Sequence, residues 1–160
     1  MKRILFLGLK KSGKTSVILH LIYDKILFTI PTLGLDTYKL KINRKKFILN
    51  DVTGQDISLR LWDTLYQYSD AIVYTIESDD YLHDKSKNIY TLISVLVEYN
   101  NPIIIVVTNY KKYNQQKIDS IKLDIFAEIY KYINKDIKKI NIINYDLVNC
   151  KELKDWLFRL

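Results

Sequence analysis

Residues 8–15 read Gly-Leu-Lys-Lys-Ser-Gly-Lys-Thr. The pattern is G-x-x-x-x-G-K-[ST], whose spacing suits a chain of phosphates. Gly8 and Gly13 let the backbone curl through Leu9, Lys10, Lys11 and Ser12 with its N–H groups pointing inward. Lys14 is long enough to reach the β- and γ-phosphates, and the Thr15 hydroxyl is an oxygen donor suited to Mg²⁺. Such a loop must follow a strand and open a helix. An apolar run, Ile4-Leu5-Phe6-Leu7, precedes it, and a helical pattern, Val17, Ile18, Leu21, Ile22, follows. The helix then adds its positive N-terminal end to the site. The chain has four glycines, and two stand at the loop's required positions, which argues against a chance match.

The rest of the chain must position this loop. At 160 residues the length predicts one domain, residues 1–160, with a full core. Hydrophobic residues make up 48%, and no apolar run approaches the ~20 residues of a membrane-spanning helix. A single cysteine, Cys150, excludes an internal disulfide and suits a reducing compartment. Cys150, His20 and His83 form no metal-ligand pattern, and each histidine reads as an ordinary surface or partly buried residue. The net charge of +7 reads as lysines solvating the exterior. No basic, aromatic-interleaved nucleic-acid module is visible.

Strand and helix patterns alternate, which argues for an α/β fold with a mostly parallel sheet. Strands are predicted over 2–7, 71–76, 103–107 and 140–143. A hairpin is predicted over 36–42 and 46–50, joined at Asn43-Arg44-Lys45. A helix is predicted over 14–23, and a helical half within the irregular segment 52–68. Ile89, Leu92, Ile93 and Leu96 share one helix face, as do Ile118, Ile121, Ile125 and Ile129. Leu153, Trp156, Leu157 and Leu160 close the chain as an amphipathic helix. Six strands and about five helices predict a doubly wound domain with helices on both faces, one antiparallel edge strand, and ligands at the strands' carboxyl ends.

Three stretches resemble the Arf and Arf-like family of Ras-superfamily small GTPases. They are residues 8–15, Thr-Ile-Pro-Thr-Leu-Gly at 29–34, and Asp-Val-Thr-Gly-Gln-Asp at 51–56, the last followed by Leu61-Trp62. The spacing of Thr15, Thr32 and Asp51 agrees with that family, and the resemblance is strongest over residues 1–78. It implies a P-loop NTPase fold and a Mg²⁺-dependent switch that binds GTP and GDP. It implies metal ligation by Thr15, Thr32 and Asp51, γ-phosphate contact by the Gly54 N–H, and orientation of the attacking water by Gln55. Catalysis of this kind is mostly positioning and charge neutralisation.

The chain departs from the family at the base. Small GTPases carry Asn-Lys-x-Asp after the fifth strand. Here Asn109 matches, Tyr110 stands for the lysine, and Lys112 for the aspartate. A lysine only donates, so it cannot accept from guanine's N–H groups. Tyr110 can still stack on a purine, and Asp146, in Asn144-Tyr145-Asp146, is the alternative base reader; base selectivity stays open. Lys10 and Lys11 stand where relatives carry small or acidic residues. They read either as extra phosphate contacts, or obstacles to an incoming arginine, or as solvated lysines. Thr53 replaces a Gly or Ala.

Lys2 after the initiator gives no acceptor for myristoylation, and no amphipathic helix precedes the first strand. The expectation is therefore weak peripheral membrane contact at most, through basic residues such as Arg44, Lys45 and Lys46. The resemblance implies a cytoplasmic monomer, peripheral to an endomembrane only through a partner, that hydrolyses GTP slowly in vesicle trafficking. It would meet an effector, an exchange factor and an activating protein through residues 29–36 and 51–66. A degenerate GTPase serving as a non-hydrolysing scaffold is the alternative. A P-loop kinase lacks a visible acceptor site and lid.

Overall fold

The structure is a computed structural model that describes residues 1–27, 29, 33–54, 59–133, 139–146 and 150–160. Six strands form one sheet: β1 (Lys2–Gly8), β2 (Leu35–Ile42), β3 (Lys45–Val52), β4 (Ala71–Glu77), β5 (Ile103–Thr108) and β6 (Ile140–Tyr145). Their order is β2-β3-β1-β4-β5-β6. Every neighbouring pair is parallel except edge strand β2, which runs antiparallel to β3. The α/β sheet and its one antiparallel edge strand are thus as the sequence predicted. Six helices accompany it among the described residues: α1 (Lys14–Tyr23), α2 (Leu59–Tyr66), α3 (Ser78–His83), α4 (Lys85–Glu98), α5 (Gln115–Tyr132) and α6 (Lys151–Arg159).

Both sheet faces are covered, which explains the near-continuous apolar runs of the central strands. Leu5, Leu7, Ile72, Tyr74, Ile103, Ile105 and Val107 bury one face against α2, α4 and α5. Ile4, Phe6, Val73, Ile104 and Val106 bury the other against α1 and α6. Alternate residues of each strand therefore serve different helix layers, as the pleat requires.

Three local features differ from the sequence expectation. The hairpin turn is the two residues Asn43-Arg44, with Asn43 in the left-handed region at φ 54°, and Lys45 already opens β3. The short helix α3 was not foreseen. It is held at its start by the Glu77 carboxylate, which accepts from the Asp80 N–H at 2.7 Å. His20 is not a surface residue: it is 5% exposed, and its Nδ1 meets the Tyr145 hydroxyl. That contact ties α1 to the end of β6.

Candidate functional site

The phosphate-loop residues lie where β1 ends and α1 begins, at the carboxyl edge of the sheet. Gly13 is the N-cap of α1, with φ 94° in the left-handed region. No side chain caps this helix start, and its first turn carries no acidic residue. Its N–H groups thus keep their donors and the helix its positive end for an anion.

Lys14 lies under the curl of the loop. Its ammonium donates to the Gly8 carbonyl at 2.8 Å and the Leu9 carbonyl at 2.9 Å, with the Ser12 hydroxyl at 3.4 Å. Burial pushes its pKa down to about 8, and the Asp51 carboxylate pulls the other way. A desolvated ammonium at a helix start gains strongly from an anionic partner.

Thr15 and Asp51 come together from opposite sides. Thr15 opens α1, and Asp51 lies fully buried near the end of β3. The Thr15 hydroxyl donates to Asp51 Oδ2 at 2.5 Å. A hydroxyl and a carboxylate side by side are hard oxygen donors of the kind a small divalent cation such as Mg²⁺ takes, which uses one or two protein oxygens and completes its shell with phosphates and water.

Gly54 presses onto the phosphate loop. A Cβ there would sit 2.5 Å from the Gly8 oxygen, 2.5 Å from the Leu9 carbonyl carbon and 2.6 Å from the Lys10 nitrogen. All three are backbone atoms, so the approach admits only glycine. The preceding Thr53 donates its N–H to the Gly34 oxygen at 2.9 Å. The segments on either side of the site are thereby joined by main chain.

The sequence did not single out two braces of the loop. The Ser12 and Thr75 hydroxyls are 2.6 Å apart, and Thr75 also donates to the Leu7 oxygen at 3.2 Å. Thr108 donates to the Ser12 oxygen at 3.0 Å. Ser12 thus fastens the loop to β4 and β5. The available signal was a lone threonine in each of two apolar strands, Ala-Ile-Val-Tyr-Thr-Ile and Ile-Ile-Ile-Val-Val-Thr.

Lys10 and Lys11 are exposed, and Lys11 holds a left-handed φ of 61°. Asn109 orders the following loop: its Nδ2 donates to the Tyr113 oxygen, and its Oδ1 accepts the Tyr113 N–H, both at 2.9 Å. Tyr110 reaches back to the phosphate loop, close to Gly13. Lys112 is exposed with φ 54°. Asp146 is exposed at the end of β6. Thr32 and Gln55 lie outside the described residues.

Comparison with known proteins gives the family and the fold. The family model described as "ADP-ribosylation factor family" matches residues 1–160. Proteins named ADP-ribosylation factor-like protein 1, from Caenorhabditis elegans and Drosophila melanogaster, are each 36% identical over 78 residues. That stretch is 49% of this chain and 43% of each relative, so the match spans less than half the length of either. Among solved structures, the mammalian SRP receptor aligns with TM-score 0.79 and 16% identity over 99% of both chains. The Arl6 BBS3 small GTPase of Trypanosoma brucei, solved with the nucleotide analogue GppNp, aligns with TM-score 0.74 and 17% identity. It covers 99% of this chain and 95% of that one. The two structures speak for the fold, and the full-length family match goes further: this chain belongs to the ADP-ribosylation factor family.

Proposed function

We propose that the chain is a Mg²⁺-dependent nucleoside-triphosphate switch that hydrolyses GTP slowly, with residues 1–160 acting as one domain. The observation that carries this reading is the convergence of buried Lys14 with the Thr15–Asp51 oxygen pair at an uncapped helix start. Lys14 would exchange its carbonyl partners for the β- and γ-phosphate oxygens. Gly8, Leu9, Lys10, Lys11, Ser12 and Gly13 would line the phosphates with main-chain N–H groups. Thr15, Thr32 and Asp51 would hold Mg²⁺. The bound ion supplies positive charge against the charge developing on the phosphates. Gly54 would offer its N–H to the γ-phosphate, and Gln55 would align the attacking water.

The same contacts make a switch. The hydrogen bond from Thr53 to Gly34 ties the two segments that flank the γ-phosphate position. Triphosphate would order residues 29–36 and 51–66 together, and loss of the γ-phosphate would release them. An effector, an exchange factor and an activating protein would act on these segments, in a trafficking role inferred from the family.

A second reading has its own observation. The loop 109–113 reads Asn-Tyr-Lys-Lys-Tyr and carries no carboxylate, which favours a scaffold with relaxed base specificity. One experiment separates the two: GTP loading and single-turnover hydrolysis in the same tube, for wild type and Gln55→Leu. The switch reading expects affinity within a few-fold and clearly slower hydrolysis in the variant. Equal, measurable rates overturn the role of Gln55. Loading without hydrolysis in wild type overturns the switch in favour of the scaffold.

A further inference from the structure

The loop after β5 lacks the groups that read a base by hydrogen bonding, yet it is firmly built. Both polar atoms of the Asn109 side chain are engaged by the Tyr113 backbone. The Tyr113 hydroxyl is in turn fixed on Asp79 at 2.6 Å. Lys111 lies 4.0 Å from the same carboxylate, and Lys112 is exposed in a left-handed conformation. What this frame presents to the phosphate loop is Tyr110.

The position of Tyr110 is closely defined. A Cβ on Gly13 would lie 2.4 Å from its hydroxyl oxygen and 3.1 Å from its Cε2. The tip of the tyrosine thus rests against Gly13, the N-cap of α1. The residue is nevertheless 37% exposed. An aromatic ring that meets the loop at its tip and stays open beside a candidate phosphate site is suited to stacking.

We propose that Tyr110 is the specificity-determining residue of the nucleotide site: it selects purine nucleotides by stacking on its ring, and it does not separate guanine from adenine. The proposal rests on the nucleotide reading given above. Stacking strength rises with the area of the base, so purines outrank pyrimidines, while every purine offers a similar face.

The test is competition against a fluorescently labelled GDP by GTP, ATP, CTP, UTP and inorganic triphosphate, each with Mg²⁺. Wild type is compared with Tyr110→Phe, Tyr110→Trp and Tyr110→Leu. Wild type is expected to prefer GTP and ATP over CTP and UTP by about tenfold or more, with GTP and ATP within about tenfold of each other. Phe and Trp should retain the purine preference, and Leu should reduce it to about threefold or less. Inorganic triphosphate should bind all four proteins within about twofold, which shows that the cradle is intact. An unchanged purine preference in Tyr110→Leu overturns the proposal while leaving the nucleotide site standing. So does a wild-type preference for GTP over ATP of about a thousandfold. Failure of every competitor and of the label to bind wild type overturns the nucleotide reading itself, and this proposal with it.

Discussion

Lys14 should make the ligand-free protein gain stability as pH rises from 7 to 9.5. Its ammonium is buried under Gly8 and Leu9, and its pKa is pushed down from 10.5 to about 8. In the unfolded chain it titrates near the ordinary lysine value. Below pH 8 both states carry the proton, and the folded state bears the full penalty of a desolvated charge. Between about 8 and 10.5 the unfolded state binds more protons, so stability increases with pH. The gap between 10.5 and about 8, at about 1.4 kcal/mol per pH unit, amounts to about 3 kcal/mol. About 2 kcal/mol of that would be recovered by pH 9.5. Lys14→Met keeps the stem and removes the titration. The assay is urea unfolding of nucleotide-free protein in EDTA, for both proteins, across this range. Tyrosine and cysteine titrations are common to both and cancel in the difference. The stability of wild type relative to Lys14→Met should rise by about 2 kcal/mol. A difference flat to within about 0.5 kcal/mol would refute the claim that this ammonium is held desolvated.

Three further outcomes follow from single contacts. Gly54→Ala should lower stability by about 1–3 kcal/mol in thermal melts, because its Cβ meets only backbone atoms of the phosphate loop; an unchanged melt would show that the close approach is absent. Tyr74→Phe should be neutral or stabilising by up to about 1 kcal/mol, since the buried Tyr74 hydroxyl has no hydrogen-bond partner among the described residues. A loss above about 2 kcal/mol in urea unfolding would reveal a partner for that hydroxyl. The exposed basic residues Lys39, Lys41, Arg44, Lys45 and Lys46 around the hairpin should give weak binding to phosphatidylserine vesicles that about 0.3 M salt removes. Salt-resistant sedimentation of the purified chain with those vesicles would contradict this electrostatic account.

The fold was legible where one physical rule dominated. Ile103–Thr108 is apolar at nearly every position because it is buried on both faces, and Ile118, Ile121, Ile125 and Ile129 mark α5 by periodicity alone. Helix α3 escaped because Ser-Asp-Asp-Tyr-Leu-His has no apolar stripe; its start depends on the Glu77 carboxylate and its position on Tyr81 entering the core. The shape of the loop over residues 8–15 was legible because it is written in glycine positions and in one lysine. Its braces were not, since the Ser12–Thr75 contact depends on the register that sets Gly8 opposite Thr75. His20 was misread because a helical histidine gives no sign in sequence that a tyrosine 125 residues away will meet it. The approach of Tyr110 to Gly13 was equally hidden, since it depends on how Asn109 and Tyr113 close their loop.

The central claim is that residues 8–15, with Lys14 at their centre, hold the phosphates of a nucleoside triphosphate. Equilibrium dialysis of GTP with Mg²⁺ against wild type and Lys14→Ala tests it most directly. The account predicts a loss of affinity of at least about a hundredfold, since a charge-assisted contact in a desolvated pocket disappears. Equal affinity in the two proteins would contradict it.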